Sequence, residues 1–328
     1  MKVLIIGGTR FLGRHLVEAA VAHGHEVTLF NRGLTNPELF PQLKTIRGDR
    51  EKDLGRLAVQ RWDAVIDTCG YVPRLVKLSV DALKDSVKSY VFISSISVYA
   101  DASRIGIQES DAVSRWEDQS DESSPETYGP RKAACEAALQ DGFGSHALLV
   151  RPGLIVGPHD PTDRFTYWPV HIARGGEVLV PDRPGALTQF IDVRDLSVFL
   201  IQLIEQKVHG VFNATGESVT LGTLFETCKR ISRSDATFQW APVDFLNHNR
   251  VEPWSDLPAW LPDTGQQAGF AHVDISKAQR AGLSFHPLAG TVKDTLEWAN
   301  TRSTKHEWQA GLDPKREKEL LALLKQIQ

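Results

Sequence analysis

The sequence predicts an α/β protein built on a doubly wound parallel sheet, with a smaller substrate-binding lobe interleaved along the chain. Three observations lead there. Short apolar runs alternate with amphipathic helical patterns through the first half. A glycine-rich turn, GGTRFLG at residues 7–13, follows the first run at once. After residue 155 the regularity loosens, then returns between 192 and 215.

The strand-like runs are KVLII (2–6), EVTLF (26–30), DAVID (63–67), YVFIS (90–94) and ALLVR (147–151). Between them Leu12, Leu16, Ala19 and Ala20 recur at helical spacing, as do Val76, Val80 and Leu83. Apolar strands separated by such helices make βαβ units, whose parallel sheet is covered on both faces. Gly24 reads as the end of the first helix. The neighbouring His23 and His25 have no third ligand in view and read as a solvated helix end, so no metal is expected. Residues 157–188 and 241–272 hold nine of the 17 prolines, as a loop-rich lobe would. Residues 192–205 read as a buried helix and 211–215 as a strand. The expected division is therefore 1–155 plus 187–215 for a dinucleotide-binding domain, and 156–186 plus 216–302 for a substrate lobe. Residues 303–328 form a C-terminal helix, with Asp313 as its cap and Pro314 at its first position. The acidic stretch 109–126, seven acids against one arginine, reads as a solvated loop.

Composition excludes several classes. A net charge of −4 gives no global field for nucleic acid. Three scattered cysteines without a CxxC pair argue against a disulfide framework or zinc site and for a reduced, cytoplasmic setting. The apolar runs are too short for a leader or a membrane span.

The turn at 7–13 places backbone N–H groups at a helix N-terminus, where roughly half a positive charge suits a pyrophosphate. Gly7, Gly8 and Gly13 supply the tight path, but Arg10 stands where a small residue is usual. A cation in a first helical turn costs roughly a few tenths of a kcal/mol unless an anion lies beside it. Strand two ends in Asn31-Arg32 rather than in the acid that would take a ribose 2′-hydroxyl. Asn31 does not repel a 2′-phosphate, and Arg32 can bind one through paired N–H bonds. Arg10 and Arg32 together therefore predict NADP, with NAD as the alternative.

Tyr128 and Lys132 lie four apart, on one helical face, after the serine-rich strand end SSISVYA (94–100). The order of turn, serine-rich strand end and YxxxK resembles the extended short-chain dehydrogenase/reductase group, the NAD-dependent epimerase/dehydratase family. The shared GGTRF turn is similar to that of its chloroplast stem-loop-binding branch. GDR (48–50), RPGLIVGP (151–158), FIDVRDL (190–196), VFNATGE (211–217) and the stretch 274–298 extend the likeness over residues 1 to about 300. The resemblance implies a Rossmann-type sheet and a homodimer. It implies Tyr128 as acid/base, Lys132 as its support, and Ser95 as hydrogen-bond donor to the reacting oxygen. It further implies that Phe11, Leu12, Asp49, Cys69, Gly70, Ser94 and Pro152 line the cofactor, Asp49 at the adenine amino group. To act near neutral pH the Tyr128 pKa must fall from about 10 towards 7, about 4 kcal/mol of phenolate stabilisation.

Two departures narrow the chemistry. Sugar-nucleotide dehydratases of that family place Asp-Glu directly after the catalytic Ser/Thr, where this chain has Ile96-Ser97. Diphosphate contacts common in the family fall on Leu154 and Thr188, which cannot hold one strongly. A small polar, sugar-like substrate is expected among Tyr71, Ser97, Tyr99, His159, Arg164, Tyr167, Trp168 and Gln189, with Trp254 and Trp260 as a lid. Three readings follow: an NADP(H)-dependent oxidoreductase, a redox-neutral epimerase retaining NAD(P), and a non-catalytic cofactor-sensing or RNA-binding protein.

Overall fold

The computed structural model describes residues 1–117, 121–262 and 265–327. Its first strand, β1 (Lys2–Ile6), sends Val3 and Ile5 to one face and Leu4 and Ile6 to the other, all four buried. A strand apolar on both sides needs helices above and below it. The chain supplies them in turn: α1 (Leu12–Ala22), β2 (Glu26–Asn31), β3 (Lys44–Arg47), β4 (Trp62–Asp67), α2 (Pro73–Leu83), β5 (Val87–Ile93), α3 (Tyr128–Phe143) and β6 (Ala147–Pro152). Then follow β7 (Leu154–Val156), α4 (Tyr167–Ala173), β8 (Glu177–Pro181), β9 (Leu187–Thr188), β10 (Phe190–Asp192), α5 (Val193–Glu205) and β11 (Gly210–Ala214). The remainder is β12 (Val219–Thr220), α6 (Leu221–Ser232), β13 (Thr237–Ala241), α7 (Val243–His248), α8 (Ser276–Arg280), α9 (Leu288–Ala299) and α10 (Pro314–Ile327).

Seven strands make one parallel sheet in the order β3-β2-β1-β4-β5-β6-β11. Helices α1 and α5 cover one face and α2 and α3 the other. The chain winds outwards in opposite directions from the β1/β4 pair, which opens a crevice at the carboxyl ends of these strands. This is the expected Rossmann-type architecture. The short strand β3 carries no clear apolar alternation, and the sequence pattern did not announce it.

The second lobe has its own core around Trp168, Phe225 and Trp260, with β8 paired to β13 and helices α4, α6 and α9 packed on it. Helix α10 closes the same core through Leu320, Leu321 and Leu324 and does not stand apart. Its Glu317 is buried, bonded to His171 Nε2 at 2.8 Å and the Leu179 N–H at 3.0 Å. Asp313 caps α10 by accepting from the N–H groups of Lys315 and Arg316. Ala278 of α8 and Leu283, expected in the substrate lobe, pack into the cofactor-side core instead. Both His23 and His25 lie on the Glu205 carboxylate of α5. No cluster with metal-ligand composition occurs among the described residues. No described helix is long and apolar enough to cross a membrane. Residues 118–120 of the acidic stretch, and residue 328 of the C-terminal helix, lie outside the described residues.

Candidate active site

The glycine-rich turn sits at the end of β1 in the crevice. Gly13 brings α1 so close that a Cβ there would meet the Gly8 nitrogen at 2.8 Å. Phe11 and Leu12 begin the helix, Phe11 with a φ of 37°. The Asn31 amide donates to the Gly7 carbonyl at 3.0 Å, and its Oδ1 accepts from the Gly33 N–H at 2.9 Å. Asn31 therefore braces the turn against β2, a local task that spacing alone does not reveal. Arg10 and Arg32 are both exposed and form no ion pair among the described residues. The charge of Arg10 acts on Tyr71. Arg32 neighbours a third cation that the sequence reading missed: Arg47, opposite Asn31 in the β2–β3 register, whose Nε lies 3.1 Å from where a Gly33 Cβ would stand. Its signal was available, an arginine immediately before GDR at a strand end.

Beneath the crevice, Arg50 makes two bonds to Asp67, one at 3.0 Å, and Tyr90 donates to the same carboxylate at 2.9 Å. Burial works to raise the Asp67 carboxyl, but the Arg50 guanidinium outweighs it and holds the group below the usual range. Asp67 Oδ1 in turn accepts from the Cys69 N–H at 3.1 Å, shaping the Cys69–Gly70 loop. Burial pushes the Cys69 thiol up to about 12, so it is no nucleophile at neutral pH. Asp49 caps the next turn, accepting from the Glu51 N–H at 2.8 Å.

Three expected catalytic side chains come to one end of the sheet. Ser95, just past β5, accepts from the Ser97 N–H at 3.1 Å and donates to Ser97 Oγ at 3.0 Å. Tyr128 opens α3, and Gly129 lets this turn abut the strand end, since a Cβ there would lie 2.1 Å from the Ser97 carbonyl oxygen. Burial raises the Tyr128 phenol above its ordinary value, opposite to the fall the sequence leads us to expect, while Ser95, Arg164 and Arg131 favour its ionised form. Lys132 lies on the same helix, one turn on from Tyr128. Its ammonium is buried and donates to the carbonyls of Gly70, at 2.9 Å, and Ile93. Desolvation draws it down to about 8. It ties the Gly70 loop to β5 and keeps one N–H uncommitted. Ser94 Oγ is buried without a partner among the described residues, and Pro152 ends β6 nearby in sequence to the paired strand.

The expected substrate residues divide sharply. Trp168 is wholly buried, its Nε1–H donating to the Pro258 carbonyl, and Tyr167 is buried and stacked on His171. Gln189 is spent on Gly216 and Val273, and Tyr99 donates to Asn213 while lying on Arg151. These four sit in the core and framework: the rings of Tyr167 and Trp168 are enclosed, and the polar atoms of Gln189 and Tyr99 are taken by neighbours. His159 packs against His15 and Trp298 on the α1 side, where desolvation lowers it to about 4. Trp260 is core, not lid. Tyr71, Ser97 and Arg164 remain at the crevice, with the Arg164 guanidinium 5.2 Å over the Trp254 ring.

The turn, the cations at the β2–β3 ends and the Gly70 loop fit a dinucleotide: the glycines open the backbone to a pyrophosphate, and the cations suit an added phosphate. The sequence profile of the NAD dependent epimerase/dehydratase family matches residues 3–73 and 72–215. The chloroplast stem-loop binding protein of 41 kDa b from Arabidopsis thaliana is 28% identical over 252 residues, 70% of this chain and 62% of that protein. The 2'-dehydrokanamycin reductase of Streptomyces kanamyceticus is 29% identical over 218 residues, covering 62% and 58%. The chain thus spans about three fifths of the length of these curated relatives. The UDP-glucuronic acid 4-epimerase of Bacillus cereus in complex with NAD shares the fold, with a TM-score of 0.67 at 18% identity over 92% of this chain and 99% of that one. With its profile matched across more than half its length, the chain belongs to the NAD dependent epimerase/dehydratase family.

Proposed function

We propose that this protein is an NADP(H)-dependent oxidoreductase that reduces a carbonyl, or oxidises a secondary alcohol, of a small polar molecule. The observation that carries the reading is the convergence of Ser95, Tyr128 and Lys132 beside an open glycine turn whose flanking arginines have no acidic partner among the described residues. A bound dihydronicotinamide would supply the hydride for the carbonyl carbon, held by the glycine turn and the Gly70 loop. Ser95 and Ser97 orient the carbonyl oxygen. Tyr128 hands that oxygen its proton; its raised pKa keeps it a phenol at neutral pH, which suits the reducing direction. Lys132 holds the Gly70 loop through that loop's carbonyl. Arg32, with Arg47 beside it and Arg10 across the turn, favours NADP over NAD. A cytoplasmic setting and a homodimer complete the proposal.

A relative named a reductase supports net redox chemistry. The fold neighbours named epimerases support a second reading, a redox-neutral epimerase that retains its nucleotide. Absorbance of the purified protein near the reduced-nicotinamide band, then mass spectrometry of what is released, separates them. The oxidoreductase exchanges added nucleotide and consumes deuterated NADPH in step with product, which carries the deuterium. Tightly retained nucleotide with no net consumption supports the epimerase instead.

A further inference from the structure

Arg164 presents to the reaction site a charge that no group among the described residues pairs directly. It is half-buried, its guanidinium makes no hydrogen bond or ion pair among the described residues, and it rests on the Trp254 face at 5.2 Å. It acts electrostatically on Tyr128, and Tyr128 on it. Beside it Asp160 is 1% exposed, with Oδ2 buried and unpartnered and Oδ1 taken by the Thr162 N–H and hydroxyl at 2.8 Å. The two do not close into an ion pair. Their loop is held under strain, with φ of 70° at His159 and 58° at Asp163, and Trp254 opposite has a φ of 70°. Asp163 clamps this loop to the C-terminal segment, accepting from Arg302 at 2.5 Å, His306 at 2.8 Å and the Gln309 N–H at 3.1 Å. A fold that fixes a half-buried cation without a direct partner favours a bound anion there.

We propose that Arg164 and Trp254 form a carboxylate anchor, so that the substrate is a hydroxy or sugar acid whose acid group docks on Arg164 while its carbonyl or alcohol meets Tyr128. The planar guanidinium fork matches a carboxylate in two parallel bonds, with the indole closing one face. A dianionic phosphate would need a second cation, and the nearby Arg131 is committed to the carbonyls of Glu122, Ser124 and Thr127. The free Asp160 oxygen then takes a substrate hydroxyl. This rests on the reading of Tyr128 as the proton-transfer group.

Calorimetry on NADP-loaded protein tests it, with D-glucuronate and D-galacturonate against D-glucose and D-galactose, and inorganic phosphate as a separate arm. The acids should bind at least tenfold more tightly than the neutral sugars. Arg164→Ala should abolish the preference, and Arg164→Lys should keep part of it, which guards against mere misfolding. Equal binding of acids and sugars, binding of neither, or tighter binding of phosphate overturns the anchor. The same titration reports nucleotide affinity. Failure to bind NADP would remove the oxidoreductase reading, whereas bound NADP without acid preference removes only the anchor.

Discussion

The cofactor lobe and the substrate lobe treat their polar side chains in opposite ways. Arg10 in the glycine turn and Arg32 and Arg47 at the β2–β3 ends stay exposed and free of acidic partners among the described residues. In the substrate lobe nearly every polar group near residues 160–190 is absorbed: Asp163 by Arg302 and His306, His171 by Glu317, Trp168 by Pro258, Gln189 by Val273. Arg164, and the buried Oδ2 of Asp160 beside it, are not absorbed in this way. The difference teaches where recognition resides. On the proposed reading it comes in one lobe from a backbone turn with several cations, and in the other from one charge set in a rigid frame.

The strongest way to break this comparison is at the proton donor. Tyr128→Phe should lower kcat by about a thousandfold while nucleotide affinity stays within a factor of two, because only the transferring group is lost. Steady-state rates with parallel fluorescence titration check it. Retained activity would sink the assignment.

Stability sharpens the contrast within the second lobe. Trp168→Ala should cost about 3–5 kcal/mol, read by denaturant unfolding, since the ring is wholly enclosed. Trp254→Ala should cost about 1 kcal/mol or less and instead weaken substrate binding. The reverse ranking would return Trp168 to the pocket.

A smaller effect is expected from pH. Lys132 is drawn down to about 8, so its ammonium is present below that pH and lost as pH rises through it. The kcat profile should fall by about tenfold per unit above pH 8, and Lys132→Arg should move that limb upwards. A flat profile to pH 10 would leave Lys132 with a packing role alone.

The smallest signal is an expected near-absence. Leu154 and Thr188 are buried and paired within short strands, offering no cation to a diphosphate. UDP-glucose and dTDP-glucose should bind weakly in calorimetry. Micromolar affinity would show that this pocket reads the nucleotide through other residues.

Legibility in the sequence followed how local each cause was. β1, the glycine turn and the Tyr128–Lys132 spacing depend on neighbours within a few residues, so periodicity and spacing displayed them. Tyr167, Trp168 and Gln189 have side chains that suit a pocket equally well. Their fate was decided by Pro258, Val273 and α10, far along the chain. Arg50 escaped notice for the same reason, since its partner Asp67 lies on another strand. For Lys132 the spacing gives its face, while its bonds to Gly70 and Ile93 depend on how β5 meets the Gly70 loop. Asp192, Arg194 and Asn213, striking the eye as motif residues, serve as caps and struts: Asp192 caps α5 and Asn213 ties β11 to the loops around Ile107 and Asp274.

The central claim is that the open cations of the cofactor lobe select NADP, and one titration tests it directly. Fluorescence with NADPH and NADH should give an affinity for NADPH at least tenfold higher, about 1.4 kcal/mol. Arg32→Ala should erase most of that difference, and Arg47→Ala part of it. Equal affinities in the unmodified protein, or a preference that survives both substitutions, would contradict the account.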